Sequence, residues 1–279
     1  MRKILSILAL LLPAAAFAQQ TVDEGLSFSA RATVEADAKL APGLHLTAHQ
    51  EARWYSGTDD ILRSYTGIGL EYKVTSFLKV GGEYELINRY QYESDEEGNA
   101  WSQRHRGQFF ATGTLEAGDW QFGLKETFRM TFRPERGNPY QAPQPALALK
   151  SKVSVKYRGL GSVVPYAAFE VRNTLNDPAY SFKYDSTKEK EKDRYLDEQF
   201  LGYTHAYVNR LRAQIGVTVK FDKHHELDFY LLGDHYKNKK VDTNREGSDS
   251  WKENGLVLKS VTWTSGNMIS AGVGYKWSF

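Results

Sequence analysis

Alternation of apolar and polar residues with a period of two runs through most of this chain and limits what it can fold into. The clearest example is the segment 119–133, in which only Glu126 interrupts the apolar face formed by Trp120, Phe122, Leu124, Phe128, Met130 and Phe132. A period of two places successive side chains on opposite faces of a β-strand. Helical spacing is absent throughout. The sequence therefore predicts an all-β protein whose strands each have one apolar and one polar face.

The connectors between these segments alternate in length. Short, turn-like connectors occur at 39–43, 75–77, 116–119, 158–162 and 222–225, and long polar ones at 93–100, 134–145, 175–199 and 237–255. Transmembrane barrels combine short turns at one end with long loops at the other. A soluble β-sandwich, the alternative, has turn signals at more even spacing. The alternation therefore predicts a transmembrane, antiparallel, up-and-down β-barrel.

The number of strands follows from the alternating segments. About eleven clear strands can be counted, whereas single-chain bacterial barrels normally have an even number. We therefore expect about twelve strands, within a range of ten to twelve. A short strand near Val22, or a break within 199–221, would supply the twelfth.

The first residues have the organisation of a cleavable signal peptide. A basic start and an apolar stretch at 4–12 precede the small-x-small pattern Ala-Phe-Ala at 16–18. That stretch is shorter than the roughly 20 residues that a membrane-spanning helix needs. We predict a signal peptide at 1–18 and a barrel domain at 19–279. The chain has no cysteine, so neither a lipid anchor on cysteine nor a disulfide is expected.

Composition fits an exported barrel better than other classes. The chain has 36 Lys+Arg and 34 Asp+Glu, and two of the bases, but no acid, fall in the predicted signal peptide. A formally neutral mature chain does not favour nucleic acid as a partner. The mean hydropathy of −0.55 and the absence of a long apolar run after Leu12 exclude transmembrane helices after the signal peptide. A barrel reconciles this polarity with an aromatic content of 13%, because lumenal polar residues alternate with lipid-facing ones.

The C-terminal strand carries the most specific signal. One of its faces consists of Ala271, Val273, Tyr275, Trp277 and Phe279, with an aromatic residue at the last position. This pattern resembles the assembly signal of outer-membrane barrels, and we assign Tyr275, Trp277 and Phe279 to it. We therefore expect the protein in the outer membrane of a Gram-negative bacterium. Outer-membrane lipid and the barrel assembly machinery are its expected partners.

Two stretches resemble a known family. One is 210–228, where Arg-Leu-Arg and Ile-Gly-Val precede Lys-Phe-Asp-Lys-His-His-Glu-Leu-Asp, and the other is the ending at 272–279. Both resemble the uncharacterised outer-membrane barrel family catalogued as domain of unknown function 2490. The resemblance implies a barrel and carries no activity and no site residues. The charged segment 175–198 is long for that family.

No motif for catalysis or metal binding is present. His45 and His49 share one face of a strand, but four residues of extended chain separate them by about 13 Å, too far to share a proton or a metal. The sequence has no Gly-x-Ser-x-Gly, His-Glu-x-x-His or Gly-rich phosphate loop. We expect no enzymatic activity, no cofactor and no metal. A barrel enzyme acting on lipid or envelope substrates is the alternative.

The polar faces of the strands carry more bases than acids. The bases that we predict to line the lumen are Arg104, Arg106, Lys125, Arg129, Arg133, Lys150, Lys152, Lys156, Arg210, Arg212 and Lys220. A positive lumen concentrates anions. We therefore predict a passive channel or porin for small solutes, with a preference for anions. Two alternatives remain, an ion-pair network that plugs the barrel and a structural or partner-binding barrel without transport.

Overall fold

The computed structural model is a closed barrel of eleven β-strands, described over residues 21–56, 60–91, 100–133, 145–184, 195–243 and 258–279. In chain order the strands are β1 (Thr21–Ala41), β2 (Leu44–Ser56), β3 (Asp60–Lys73), β4 (Leu78–Gln91), β5 (Ala100–Ala117), β6 (Trp120–Phe132), β7 (Ala146–Tyr157), β8 (Val163–Tyr184), β9 (Tyr195–Lys220), β10 (His225–Thr243) and β11 (Leu258–Ser278). Each strand pairs with its neighbour in sequence, and β1 pairs with β11. The all-β barrel is confirmed, while the predicted signal peptide lies outside the described residues.

A parallel pair closes the barrel. In an up-and-down meander with an odd number of strands, the first and last strands run in the same direction and can pair only in parallel. β1 and β11 do so from Thr21↔Trp263 to Asp37↔Ser278. The predicted antiparallel arrangement therefore holds for every pair of described strands except this one. The strand count lies within the expected range, but Val22 is part of β1 and 199–221 contains no break before β9 ends.

All five connectors at one end of the barrel are short turns, whereas four of the five at the opposite end are long and the fifth, 57–59, is short. The turns at 42–43, 74–77, 118–119, 158–162 and 221–224 define what we call the short-turn end, and the opposite end is the long-loop end. In the last of these turns, the Asp222 carboxylate accepts hydrogen bonds from the backbone N–H groups of His224 (2.6 Å) and His225 (2.8 Å). These bonds hold the pKa of Asp222 below its usual value. Because β1 runs toward the short-turn end, Thr21 lies at the long-loop end.

The outward-facing side chains form an apolar exterior. Phe28, Ile68, Phe109 and Phe229, on four different strands, are each about half exposed. A continuous apolar surface of this kind marks contact with an apolar environment, which for a closed barrel is lipid. Glu126, the break in the apolar face of β6, also points outward and accepts a hydrogen bond from the Ser151 hydroxyl at 2.7 Å. The described residues include no helix long and apolar enough to cross a membrane.

β8 and β9 stay paired well beyond the last pair between β9 and β10. The last pair between β9 and β10 is Arg210↔Tyr236, whereas β8 and β9 stay paired to Tyr184↔Tyr195, with five register shifts on the way. Most of the predicted 175–199 loop is therefore strand. Backbone pairing needs no apolar side chains, so the polar composition of this segment hid it. The Tyr207 ring packs edge-on against Trp263 of β11, with the ring centres 4.7 Å apart, which ties the extension to the strand beyond β10.

Inward-facing glycines make room for tyrosine rings from the adjacent strand. The ring of Tyr230 lies across Gly272, and a Cβ atom at this glycine would overlap the ring. We expect Gly272→Ala to lower the free energy of unfolding by about 1–3 kcal/mol, because the ring must leave its position. Gly233→Ala is the matched control, since its Cβ would meet nothing within 4 Å. Urea unfolding of the protein refolded in lipid vesicles measures both, and equal stability of the two variants would contradict this packing role.

Candidate functional site: the barrel lumen

Three cavities follow one another through the described part of the lumen. The outer cavity, near the long-loop end, has a volume of about 450 Å³, the middle one about 220 Å³ and the inner one, near the short-turn end, about 440 Å³. Neighbouring cavities share lining residues. Arg129, Lys150 and Arg212 line both the outer and the middle cavity, and Lys125 and Lys152 line both the middle and the inner cavity. Basic side chains therefore stand at both junctions.

The predicted lumenal bases are distributed unevenly over these cavities. Arg106 and Arg210 line the outer cavity in addition to the three residues of its junction, and Lys156 lines the inner cavity. Arg104, Arg133 and Lys220 line none of the three. The outer cavity also contains five further bases that the alternation of their strands places on the polar face: Arg31, Arg53, Arg63, Arg89 and Arg172.

Buried acids pair with some of these bases. The nitrogen–oxygen distances are Arg53–Glu51 (2.7 Å), Arg106–Glu85 (2.9 Å), Lys150–Glu170 (2.6 Å), Arg210–Glu170 (2.8 Å), Arg212–Asp234 (2.6 Å) and Arg31–Asp234 (3.6 Å). Glu170 and Asp234 each hold two bases, so these two clusters keep a net positive charge. Removing one partner of such a buried pair leaves an uncompensated charge and is strongly destabilising. The network fixes the positions of the lumenal side chains.

Four lumenal bases have neutral partners instead of carboxylates. The contacts are Arg129 Nε to Gln108 Oε1 (2.7 Å), Arg172 Nε to Asn209 Oδ1 (2.6 Å), Lys152 Nζ to Gln214 Oε1 (3.3 Å) and Lys125 Nζ to the centre of the Phe110 ring (4.1 Å). An amide oxygen or an aromatic face orients a cation without cancelling its charge. None of the four forms an ion pair with a carboxylate of the described residues. Their charges therefore remain available to a solute in the lumen.

His49, Glu83 and Glu85 form a group across three strands. The His49 ring nitrogens lie 3.8 Å from Glu83 and 3.5 Å from Glu85, because Gly67 leaves the space between them open. The ligand atoms lie within 4.8 Å of one another, close enough to surround a metal ion. However, Glu85 also pairs with Arg106 at 2.9 Å, and that guanidinium repels a divalent cation. An imidazole bridging two carboxylates describes the group better. Sequence reasoning compared His49 only with His45 on its own strand.

The aromatic residues assigned to the assembly signal lie at the short-turn end of β11. Trp277 and Phe279 are 46% and 58% exposed on the exterior, with their ring centres 4.7 Å apart. The Tyr275 hydroxyl lies 2.6 Å from Nδ1 of His225 on β10. The structure therefore presents Trp277 and Phe279 as an aromatic pair at the end of the strand that closes the barrel.

Comparison with known proteins identifies a family but no function. The sequence model of a family described as "Protein of unknown function (DUF2490)" matches residues 32–245, which include the 210–228 stretch and end before β11. Among curated proteins, none matches the chain.

Two solved structures illustrate how far the structural likeness extends. The outer-membrane expressed OmpT of Vibrio cholerae has 10% identity and a TM-score of 0.35, over 84% of this chain and 64% of its own length. The siderophore receptor PirA from Acinetobacter baumannii has 8% identity and a TM-score of 0.25, over 84% of this chain and 46% of its own. The chain thus spans less than two thirds of either structure. Likenesses at this level carry nothing about function.

Proposed function

Because the chain belongs to the DUF2490 family, whose description assigns no function, we propose its function from the lumen itself. The protein is a passive outer-membrane channel for small solutes and prefers anions. The observation that carries this proposal is the series of three cavities with basic residues at both junctions. A solute that crosses the barrel passes each junction in turn.

The location in the outer membrane of a Gram-negative bacterium rests on three features. The exterior is apolar around the barrel, which suits a lipid surface. All five connectors at one end are short turns and four of the five at the other end are long, as in barrels whose short turns face the periplasm. The predicted signal peptide at 1–18 provides export to the periplasm, where such barrels are assembled.

The preference for anions follows from the inner junction. Lys125 and Lys152 are the bases shared by the middle and inner cavities, and no described carboxylate pairs with either of them. A charge in a narrow lumen is weakly screened by water, so its effect on a passing ion exceeds that of a surface charge. The energy of an anion is therefore lower at the inner junction, and the energy of a cation is higher.

The alternatives fit the lumen less well. The ion-pair network plugs part of the interior, yet it leaves cavities on both sides and does not involve the bases of the inner junction. A hydrolase needs a nucleophile beside its base. His45 and His205 approach Asp37 (2.8 Å) and Asp177 (3.7 Å), but no serine or threonine hydroxyl of the described residues bonds to either imidazole. We therefore propose a protein without enzymatic activity.

Uptake by proteoliposomes tests the proposed function. Methanesulfonate and tetramethylammonium are permanently charged ions of similar size and opposite sign. We expect the wild-type protein to admit methanesulfonate faster. The difference should shrink between 10 mM and 1 M salt, since the screening length falls from about 30 Å to about 3 Å. Uptake of both ions at the rate of protein-free liposomes, or faster uptake of tetramethylammonium, would contradict the proposal.

A further inference from the structure

The outer cavity has the composition of a site for a multiply charged anion. Ten basic side chains and three carboxylates line it. Two further carboxylates, Glu51 and Glu170, pair with bases of this set. Even without Arg63 and Arg89, which make further interactions, the eight remaining bases exceed these five acids by three, and this excess is concentrated around a single cavity.

Two guanidinium groups in this cavity have a buried donor that no atom of the described residues uses. The Arg31 side chain is only 3% exposed, and its Nε has no hydrogen-bond partner among the described residues. The same is true of Nε of Arg210. Arg129 and Arg172 each bond through Nε to an amide oxygen, and neither forms an ion pair with a described carboxylate. Buried donors are nearly always satisfied, so donors of this kind point to a ligand.

The guanidinium groups are held rigidly before any ligand arrives. Arg53 donates to Glu51 at 2.7 Å, its guanidinium carbon lies 4.1 Å from the centre of the Tyr65 ring, and Tyr65 is itself buried. Arg212 makes two hydrogen bonds to Asp234, at 2.6 and 2.7 Å. A site whose donors are already oriented loses less conformational freedom when it binds.

We propose that the outer cavity binds a phosphate group, free or esterified, and makes the channel selective for phosphorylated solutes. This inference rests on the proposed channel function. In such a channel, the cavity nearest the long-loop end is the first one that a solute enters. The planar fork of arginine donates two parallel hydrogen bonds to a tetrahedral oxyanion. A monovalent spherical anion such as chloride uses neither the fork nor the excess of positive charge. The volume of about 450 Å³ lies in the range of small-molecule sites and exceeds what one phosphate fills.

Block of the chloride current in planar bilayers tests this site. Inorganic phosphate, glycerol 3-phosphate and methanesulfonate are each titrated on the long-loop side of the wild-type channel. We expect both phosphates to block saturably, at concentrations at least about tenfold below those of methanesulfonate, because a doubly charged anion engages more guanidinium donors. A stronger block by glycerol 3-phosphate identifies an ester as the preferred ligand, and a stronger block by inorganic phosphate identifies the free ion.

Two variants locate the block within the lumen. Arg129→Gln with Arg172→Gln removes two charges without leaving a paired carboxylate behind, and we expect it to raise the half-blocking phosphate concentration at least about tenfold. Lys125→Gln with Lys152→Gln removes the same charge at the inner junction. This control should lower the preference for anions and leave the half-blocking concentration unchanged. A difference in migration on SDS gels between unheated and boiled samples checks that each variant is folded.

The outcomes separate this inference from the proposed function. A chloride current that phosphate and methanesulfonate block equally overturns the phosphate site and leaves the anion channel standing. If the wild type conducts nothing, calorimetric titration of the refolded protein with inorganic phosphate decides. If phosphate then binds to the wild type and the double variant Arg129→Gln with Arg172→Gln abolishes this binding, the site is supported and the channel is overturned. The absence of binding by calorimetry overturns the site.

Discussion

Replacing Lys125 and Lys152 with glutamate is expected to turn the proposed preference for anions into a preference for cations. The two lysines stand at the junction of the middle and inner cavities, and their partners are the Phe110 ring and the Gln214 amide. The substitutions therefore change the charge at the junction from positive to negative without breaking an ion pair. We expect the ratio of anion to cation permeability to invert, with a change of at least about tenfold, which corresponds to about 1.4 kcal/mol in relative ion energies. Reversal potentials in dilute salt measure it.

A matched variant controls for net charge. Lys39→Glu with Lys223→Glu makes the same change in charge on exposed side chains at the short-turn end. Water and salt screen these positions over about 10 Å at 0.1 M. We expect this control to keep the preference for anions. Inversion by both double variants would show that the inner junction does not set selectivity.

Deletion of Phe279 is expected to remove most of the assembled protein from the outer membrane. The backbone N–H of Phe279 donates to the Asp37 carbonyl, and its own carbonyl accepts from Lys39, both at 2.9 Å. These bonds lie at the end of the parallel pair that closes the barrel. The deletion also removes the terminal aromatic ring that we predict the assembly machinery to recognise. We expect at least a fivefold loss of folded protein, on the order of 1 kcal/mol, with degraded chain in the periplasm.

Two substitutions separate the ring from the backbone. Phe279→Ala keeps both hydrogen bonds and removes the ring, so a loss as large as that of the deletion assigns the effect to recognition of the aromatic side chain. Phe221→Ala removes an equally exposed phenylalanine from a turn at the same end, and we expect it to assemble normally. The amount of heat-modifiable protein in the membrane fraction is the measurement. Normal assembly of the deletion would contradict the assigned assembly signal.

The strands and their short turns could be predicted because both depend on local sequence. The short connectors predicted at 158–162 and 222–225 match the turns between β7 and β8 and between β9 and β10 within a residue. A two-residue period repeated over many segments leaves few other folds. The outward position of Glu126 also followed from the alternation alone.

Closure of the barrel could not be predicted in the same way. The pattern of apolar and polar residues on β1 is the same whether its neighbour runs parallel or antiparallel. The count of about eleven alternating segments matches the eleven strands. The expectation of about twelve came from the general preference of bacterial barrels for even strand numbers. The β8–β9 extension was missed for a related reason, since backbone pairing, which needs no apolar side chains, joins its polar residues at 175–184 to β9.

The candidate site could be predicted only as a set of bases. Arg106 and Lys152 both fall on polar faces, yet Arg106 pairs with Glu85, its register partner on the adjacent strand, while Lys152 meets only the Gln214 amide two strands away. Whether a base keeps its charge depends on the side chains of other strands that lie beside it. The register of the strands decides which side chains these are. The same dependence on register hid the group of His49, which reaches its acids over Gly67.

The zero-current potential of the wild-type protein across a tenfold gradient of dilute KCl tests the central claim most directly. A channel that passes only anions lets chloride flow from the concentrated to the dilute side and makes the dilute side negative, with a limit of about 59 mV for a tenfold gradient of a monovalent ion. We expect the dilute side to become negative and the potential to shrink as both solutions are made more concentrated. A potential of zero, a positive dilute side or a bilayer without conductance would contradict the account.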